Sequence, residues 1–340
     1  MESLQTLGRW ITENESLLSG AAAILAVIGV LVSLVALLLR HVGRVRRTDP
    51  DAGEVAGEHL SLRDLTAPAP YPIQYAISDG LRIAYARIGS GPPTILMAPG
   101  IISHLNISSH LPPIRDTAAA IGQFSEIVTF DKRGQGLSDR CVNVPNLDER
   151  VHDIEAVLDA CGLDKLFMYG LSEGGPMCIR FAVDHPDRVQ GLILVSTAAR
   201  WMQGADFPGG LEEAALDKCV KAWGTGGLRQ VFFPSITRET MSDDTYKAFE
   251  RLVASRTSVR QIIDYMKDTD VRDLLPRVTC PTLVIHFSGD LVVPVRLGRS
   301  LAEGIADAEF IEVPGTDHAD LASAPQAIAA IRGFMARVPS

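Results

Sequence analysis

A chain of 340 residues with a formal net charge of −9 carries no basic patch beyond the arginines that flank one apolar run near its N-terminus, which argues against nucleic acid as a partner. Its five cysteines are an odd number with no Cys-x-x-Cys pair, so neither a disulfide framework nor a zinc site is expected. They suit a reducing compartment, mostly as small apolar residues.

Residues 1–16 precede Leu17 to Leu39, an uncharged apolar run long enough to cross a hydrocarbon core of ~30 Å. A signal peptide would have a shorter apolar region, basic residues ahead of it and a small-residue cleavage site behind. Here Glu2, Glu13 and Glu15 stand ahead against Arg9, while Arg40, Arg44, Arg46 and Arg47 follow. The expectation is a single transmembrane helix over 17–39, placing the rest of the chain on the cytoplasmic side of the cell membrane. Residues 40–72 are a juxtamembrane linker, rich in Pro, Gly and acidic residues from Thr48 on, and read as a tether.

A folded domain is expected over 73–340. It opens with strands at Ile73 to Ile77 and Leu81 to Ile88, joined by Asp79-Gly80, a dipeptide that tolerates the positive φ of a two-residue hairpin turn. Strands at Thr94 to Ala98, Ile127 to Asp131, Leu166 to Leu171 and Val189 to Val195 then alternate with helices at Leu147 to Ala160 and Pro176 to Val183. This rhythm predicts an α/β fold with a mostly parallel sheet covered on both faces. It stops between about 197 and 270, where Leu211 to Trp223, Asp243 to Ala254 and Val259 to Met266 read as helices, and the segment carries apolar residues that include Trp201, Phe232 and Met266. Strands return at Pro281 to Phe287 and Phe310 to Val313, and a helix over Ala319 to Val338 closes the chain.

The chemistry concentrates at Gly170-Leu171-Ser172-Glu173-Gly174, a Gly-x-Ser-x-Gly run between a strand and a helix. A serine on such a sharp turn is held in a strained, exposed position, and glycines flank it where a Cβ would clash. Its hydroxyl needs a base, and the base needs an acid to fix its tautomer. Asp290 and His318 each lie just past the carboxyl end of a strand, where open α/β sheets place their sites. Asp317 adjoins His318, but neighbouring side chains on an extended loop point apart, which favours Asp290 as the acid. Glu173 is expected to face outward from the first helical turn, favoured by the helix dipole. His104, His110, His152, His185 and His286 have no metal-ligand spacing and are expected at the surface or in the core.

From about Ile73 onward the chain resembles the α/β-hydrolase family. The resemblance rests on APGIISH at Ala98, FDKRGQGLSD at Phe130, YGLSEGGP at Tyr169, SGDLVVP at Ser288 and PGTDH at Pro314, in that order. Several of these versions are similar to a bacterial subgroup whose hydrolase domain is often fused to a nucleotide cyclase; with the chain ending at Ser340, no cyclase is expected to follow. The resemblance implies an eight-stranded, mostly parallel sheet flanked by helices, and a helical cap over about 197–270. It implies Ser172 as nucleophile, Asp290 as orienting acid and His318 as general base, with the main-chain N–H groups of Ile101 and Glu173 as oxyanion hole. Many members carry His-Gly before the first of these donors, where this chain has Pro99-Gly100. Asp131 and Arg133 resemble the family's structural turn and are assigned no chemistry. The implied activity is a membrane-anchored serine hydrolase of a small carboxylic ester or related acyl substrate, with no metal or organic cofactor. Thioesterase, lactonase, amidase, C–C hydrolase and cofactor-free haloperoxidase chemistry share the fold, as does a ligand sensor that turns its signal over slowly.

Overall fold

The computed structural model describes residues 59–140 and 144–338, so the apolar run at 17–39 and the first part of the linker lie outside the described residues. Among the described residues no helix is long and apolar enough to cross a membrane.

The chain enters through a short helix, α1 (Leu62–Leu65), capped reciprocally by Ser61 and Asp64. Leu60 and Leu65 are buried, and the Leu60 amide donates to the Thr240 carbonyl at 2.7 Å. The described end of the segment expected as a tether is thus a packed part of the domain. Its two leucines join an apolar cluster with Tyr246, Phe249 and Val253, which their burial stabilises.

Strands β1 (Ile73–Ser78) and β2 (Leu81–Ile88) form the expected hairpin, and its turn takes Asp79 to φ 49° and Gly80 to φ 80°. After β3 (Thr94–Ala98) come two helices the sequence reading did not anticipate, α2 (Leu105–His110) and α3 (Pro112–Ile121). The Pro112-Pro113 pair stands at the start of α3, where a missing amide hydrogen costs nothing. The chain continues through β4 (Glu126–Phe130), α4 (Leu147–Cys161), β5 (Leu166–Leu171), α5 (Gly175–Asp184) and β6 (Val189–Val195). Four helices follow, α6 (Glu213–Ala222), α7 (Arg229–Phe232), α8 (Asp243–Val253) and α9 (Arg256–Asp268). The domain ends with β7 (Thr282–Phe287), α10 (Val295–Glu303), β8 (Glu309–Val313) and α11 (Pro325–Arg337). The last helix starts six residues later than expected, because the histidine-bearing loop and a 3-10 turn at Leu321–Ser323 use the intervening chain and Pro325 begins the helix.

The strands form one eight-stranded sheet in the order β1-β2-β4-β3-β5-β6-β7-β8. The β1·β2 and β2·β4 pairs are antiparallel and every other pair is parallel. Alternate residues divide between two cores: Leu96, Met168, Leu194 and Val284 pack with α4, α5 and α10, whereas Ile95, Phe167, Ile193 and Ile285 pack with α3 and α11. Burial on both faces is why these strands read as unbroken apolar runs.

Helices α6 to α9 form a cap between β6 and β7. Its base is closed by a bridge between Arg200 and Asp270 and by the Val271 amide donating to the Ala199 carbonyl at 2.9 Å. A third cluster joins Trp201, Trp223, Phe232 and Ile263 of this insertion to Ile101, Ile102 and Ala319 of the sheet-end loops. The cap therefore sits over the carboxyl ends of the strands.

Candidate active site

Strand β5 runs directly into Ser172, whose φ of 52° is in the left-handed region that a residue with a Cβ rarely occupies. The turn is held from outside: Thr197 Oγ1 donates to the Ser172 carbonyl at 2.5 Å. It also depends on close backbone approach. A Cβ on Gly174 would stand 2.8 Å from the Pro99 carbonyl oxygen, and one on Gly100 would stand 2.9 Å from Ser172 Cβ. Only glycine lets the loop after β3 lie against the serine-bearing turn.

His318 comes from the loop after β8 and Asp290 from the loop after β7. His318 Nδ1 is 2.8 Å from Asp290 Oδ2, and Asp290 Oδ1 accepts the amides of Val292 at 2.8 Å and Val293 at 3.0 Å. The aspartate is thus oriented by main chain before it orients the imidazole. That hydrogen bond commits Nδ1 and leaves Nε2 for the substrate side; Nε2 is buried with no hydrogen-bond partner among the described residues. Ser172, His318, Gly100 and Ile101 line one small cavity. No hydrogen bond joins Ser172 to His318 Nε2.

Asp317 points away from this pair, as expected. Its carboxylate accepts the Ser235 hydroxyl at 2.8 Å and the Ser235 amide at 3.2 Å, and burial pushes its carboxyl up. The neighbouring His318 amide donates to the Phe232 carbonyl at 3.1 Å, and the Phe232 ring stands edge-on to the imidazole at 5.9 Å. The cap is tied to the histidine loop on both sides of His318.

A cavity of about 240 Å³ opens from Ser172 beneath the cap, walled by Trp201, Leu216, Phe232 and Met266, with Ile101 and Glu173 at its floor. The chamber is mostly apolar, with the Ser172 hydroxyl at its base and Lys218 in its lining.

The matching family model covers residues 94–322 and is Hydrolase_4, described as serine aminopeptidase, S33. The chain belongs to this family. Similarity to individual proteins is more distant. The chain is 25% identical over 255 residues to the karrikin insensitive 2 receptor CA of Petunia hybrida, covering 71% of this chain and 90% of that one. It is 27% identical over 164 residues to a pimeloyl-[acyl-carrier protein] methyl ester esterase of Chromobacterium violaceum, covering 46% and 64%. A crystal structure of a hydrolase from Pseudomonas aeruginosa PA01 superposes with a TM-score of 0.63 at 25% identity over 77% of this chain and 98% of that one.

One side chain of the site departs from the sequence reading. Glu173 does not face outward: it is 1% exposed and ion-paired with Lys132, and its Oε1 lies 2.7 Å from Arg150 Nη1. Burial alone would raise its carboxyl, but Arg150 and Lys132 outweigh that and hold it below the ordinary carboxylate value. The tight elbow turns the first residue of the following helical turn inward, where two cations from β4's end and α4 meet it. The available signal was Lys132 itself, a charged residue directly after a buried strand. Arg133, by contrast, is structural as expected, bonded to Asp153 at 2.7 Å, Asp79 at 2.9 Å and Ser78 at 3.0 Å. Asp131 likewise accepts the Leu105 and Leu137 amides at 3.1 and 2.8 Å. His286 is buried against the Val293 carbonyl, and no cluster suited to a metal occurs among the described residues.

Proposed function

We propose that the protein is a serine hydrolase that cleaves a carboxylic ester, or a related acyl compound, with a largely apolar acyl or leaving group, through an acyl-enzyme on Ser172. The observation that carries this reading is His318, hydrogen-bonded to Asp290, lining the same cavity as a serine held at positive φ on the strand-to-helix turn. His318 Nε2 takes the Ser172 proton as Oγ attacks the carbonyl carbon, and Asp290 stabilises the resulting imidazolium. The tetrahedral oxyanion is held by the main-chain N–H groups of Ile101 and Glu173, which border the cavity beside Ser172. Collapse expels the alcohol with the proton from His318, and water, activated by the same nitrogen, releases the acid.

The apolar chamber under the cap supports an acyl or leaving group without charge. The esterase relative from Chromobacterium violaceum supports an ester over an amide or thioester. The likeness to a plant receptor supports a second reading, a sensor with slow turnover. We further propose that residues 17–39 anchor the enzyme to the cell membrane with the catalytic domain cytoplasmic, on the strength of the apolar run and its arginine-rich flank.

The test is a fluorophosphonate probe alongside p-nitrophenyl esters of graded chain length. Ester turnover and covalent labelling are expected, both lost by at least about 1,000-fold in Ser172→Ala. Labelling that survives in the alanine variant would remove Ser172 from the mechanism. Labelling with turnover below one per several minutes on every ester would favour the sensor.

A further inference from the structure

The Lys132–Glu173–Arg150 cluster lies buried directly beneath the serine turn, and the catalytic cycle just described makes no use of its charges. Burying an ammonium is costly unless it is fully partnered. Lys132, 1% exposed, has two partners: the Glu173 carboxylate and the Gly100 carbonyl, 2.7 Å from Nζ. These are the two places that matter for the oxyanion hole. The Gly100 carbonyl belongs to the same rigid peptide plane as the Ile101 N–H, and Glu173 carries the other N–H on its own backbone.

We propose that Lys132 is a positioning residue for the oxyanion hole, one ammonium that fixes both main-chain donors. The inference rests on the reading of Ser172 as nucleophile. In a trans peptide the carbonyl and the N–H point in opposite directions, so anchoring the Gly100 oxygen on Lys132 turns the Ile101 N–H away from the cluster. A cation on the carbonyl also polarises the amide and strengthens its N–H as a donor. The same segment laces this loop twice more: the Lys132 amide donates to Ser103 Oγ at 2.9 Å, and Gln135 Nε2 donates to the Ile101 carbonyl at 3.0 Å. The loop that has Pro99-Gly100 where many relatives have His-Gly is therefore preorganised from below.

Lys132→Met is the informative variant, because Glu173 keeps Arg150 and the remaining pair is neutral. The expected result is a fall of about 10–100-fold in kcat on a p-nitrophenyl ester with KM within about twofold, since an oxyanion donor acts mainly in the transition state. The inhibition constant of a trifluoromethyl ketone, which forms the tetrahedral oxyanion on Ser172, should rise by a similar factor. Arg150→Met disturbs the same cluster without touching Gly100, and should lower Tm while leaving kcat within about threefold. If Lys132→Met binds the ketone and turns over ester like the wild type while Ser172→Ala is inactive, the Lys132 proposal fails and the nucleophile stands. If Ser172→Ala is active, the underlying reading fails instead. Equal losses in the Lys132 and Arg150 variants would reduce Lys132 to general support and overturn the proposal.

The wild-type enzyme offers a measurement that needs no variant. Burial, opposed by Glu173 and Asp131 and reinforced by Arg150, pulls the Lys132 ammonium down to about 8. Those three side chains are the charged groups facing it. Deprotonation removes the charge that polarises the Gly100 carbonyl, although the neutral amine keeps two N–H donors, so kcat should decline modestly as pH rises through about 8.

Discussion

Two aspartates that look equivalent in the sequence have different duties at the residue scale. Asp290 holds the His318 tautomer, so Asp290→Asn should lower kcat by about 10³–10⁴-fold with Tm nearly unchanged. Asp317 ties the histidine loop to Ser235, so Asp317→Asn should instead cost roughly 1–3 kcal/mol of stability with a much smaller loss of kcat. Measuring kcat and thermal unfolding on both variants decides the matter, and the reverse ranking would reassign the acid. Asp131 makes a separate, pH-dependent prediction. Burial pushes its carboxyl up to about 7, against the two amide hydrogen bonds and Lys132, which lower it. In the unfolded chain the same group titrates near ~3.9. Between those values the folded state binds the extra proton, so the Asp131 contribution to stability falls as pH rises from ~4 to about 7. The stability of Asp131→Asn relative to wild type should therefore climb across that window; parallel curves of Tm against pH would contradict it.

The lead-in and the cap behave as one unit at the scale of elements. Helix α1 packs on α2 and α8, and Leu65 is fully buried in the cluster that contains the cap's Tyr246 and Phe249. Leu65→Ala should cost roughly 2–5 kcal/mol, the range for a leucine cavity. For the same reason a chain beginning at residue 73 should melt well below one beginning at residue 57, although both retain every strand. Equal melting temperatures would mean that α1 is a passive passenger. The cap's grip on the His318 loop, through Phe232 and Ser235, links this stability to catalysis.

At the scale of the whole molecule, one parallel sheet gathers groups far apart in the chain. Ser172, Asp290 and His318 follow β5, β7 and β8, with β6 between the first two, and Ile101 follows β3 beside β5. Parallel strands all end on the same side, so residues just past their carboxyl ends converge whatever their sequence separation. The proposed anchor also belongs here. The full chain should sediment with membranes and resist extraction at high salt, because an apolar run of this length is held by the hydrocarbon core rather than by charge. Release of the full chain by salt alone, or a mature N-terminus beyond Leu39, would contradict it.

Local rules reach a large part of this fold. The apolar runs located every strand, Asp79-Gly80 the hairpin turn, and the glycines around Ser172 the elbow, because backbone preference and period-two burial act within a few residues. That Ser172, Asp290 and His318 each stand just past a strand end was legible for the same reason. The rest depends on contacts between distant segments. The inward turn of Glu173 required Lys132 and Arg150 to arrive from β4 and α4. The burial of Leu60 and Leu65 required a cap more than 170 residues away, as the bond from Leu60 to Thr240 shows. No local pattern marks a charged residue as buried when its partners lie 23 and 41 positions away, Arg150 and Lys132 from Glu173. Long-range pairing sets that energy, and it exists only once the sheet has brought the loops together.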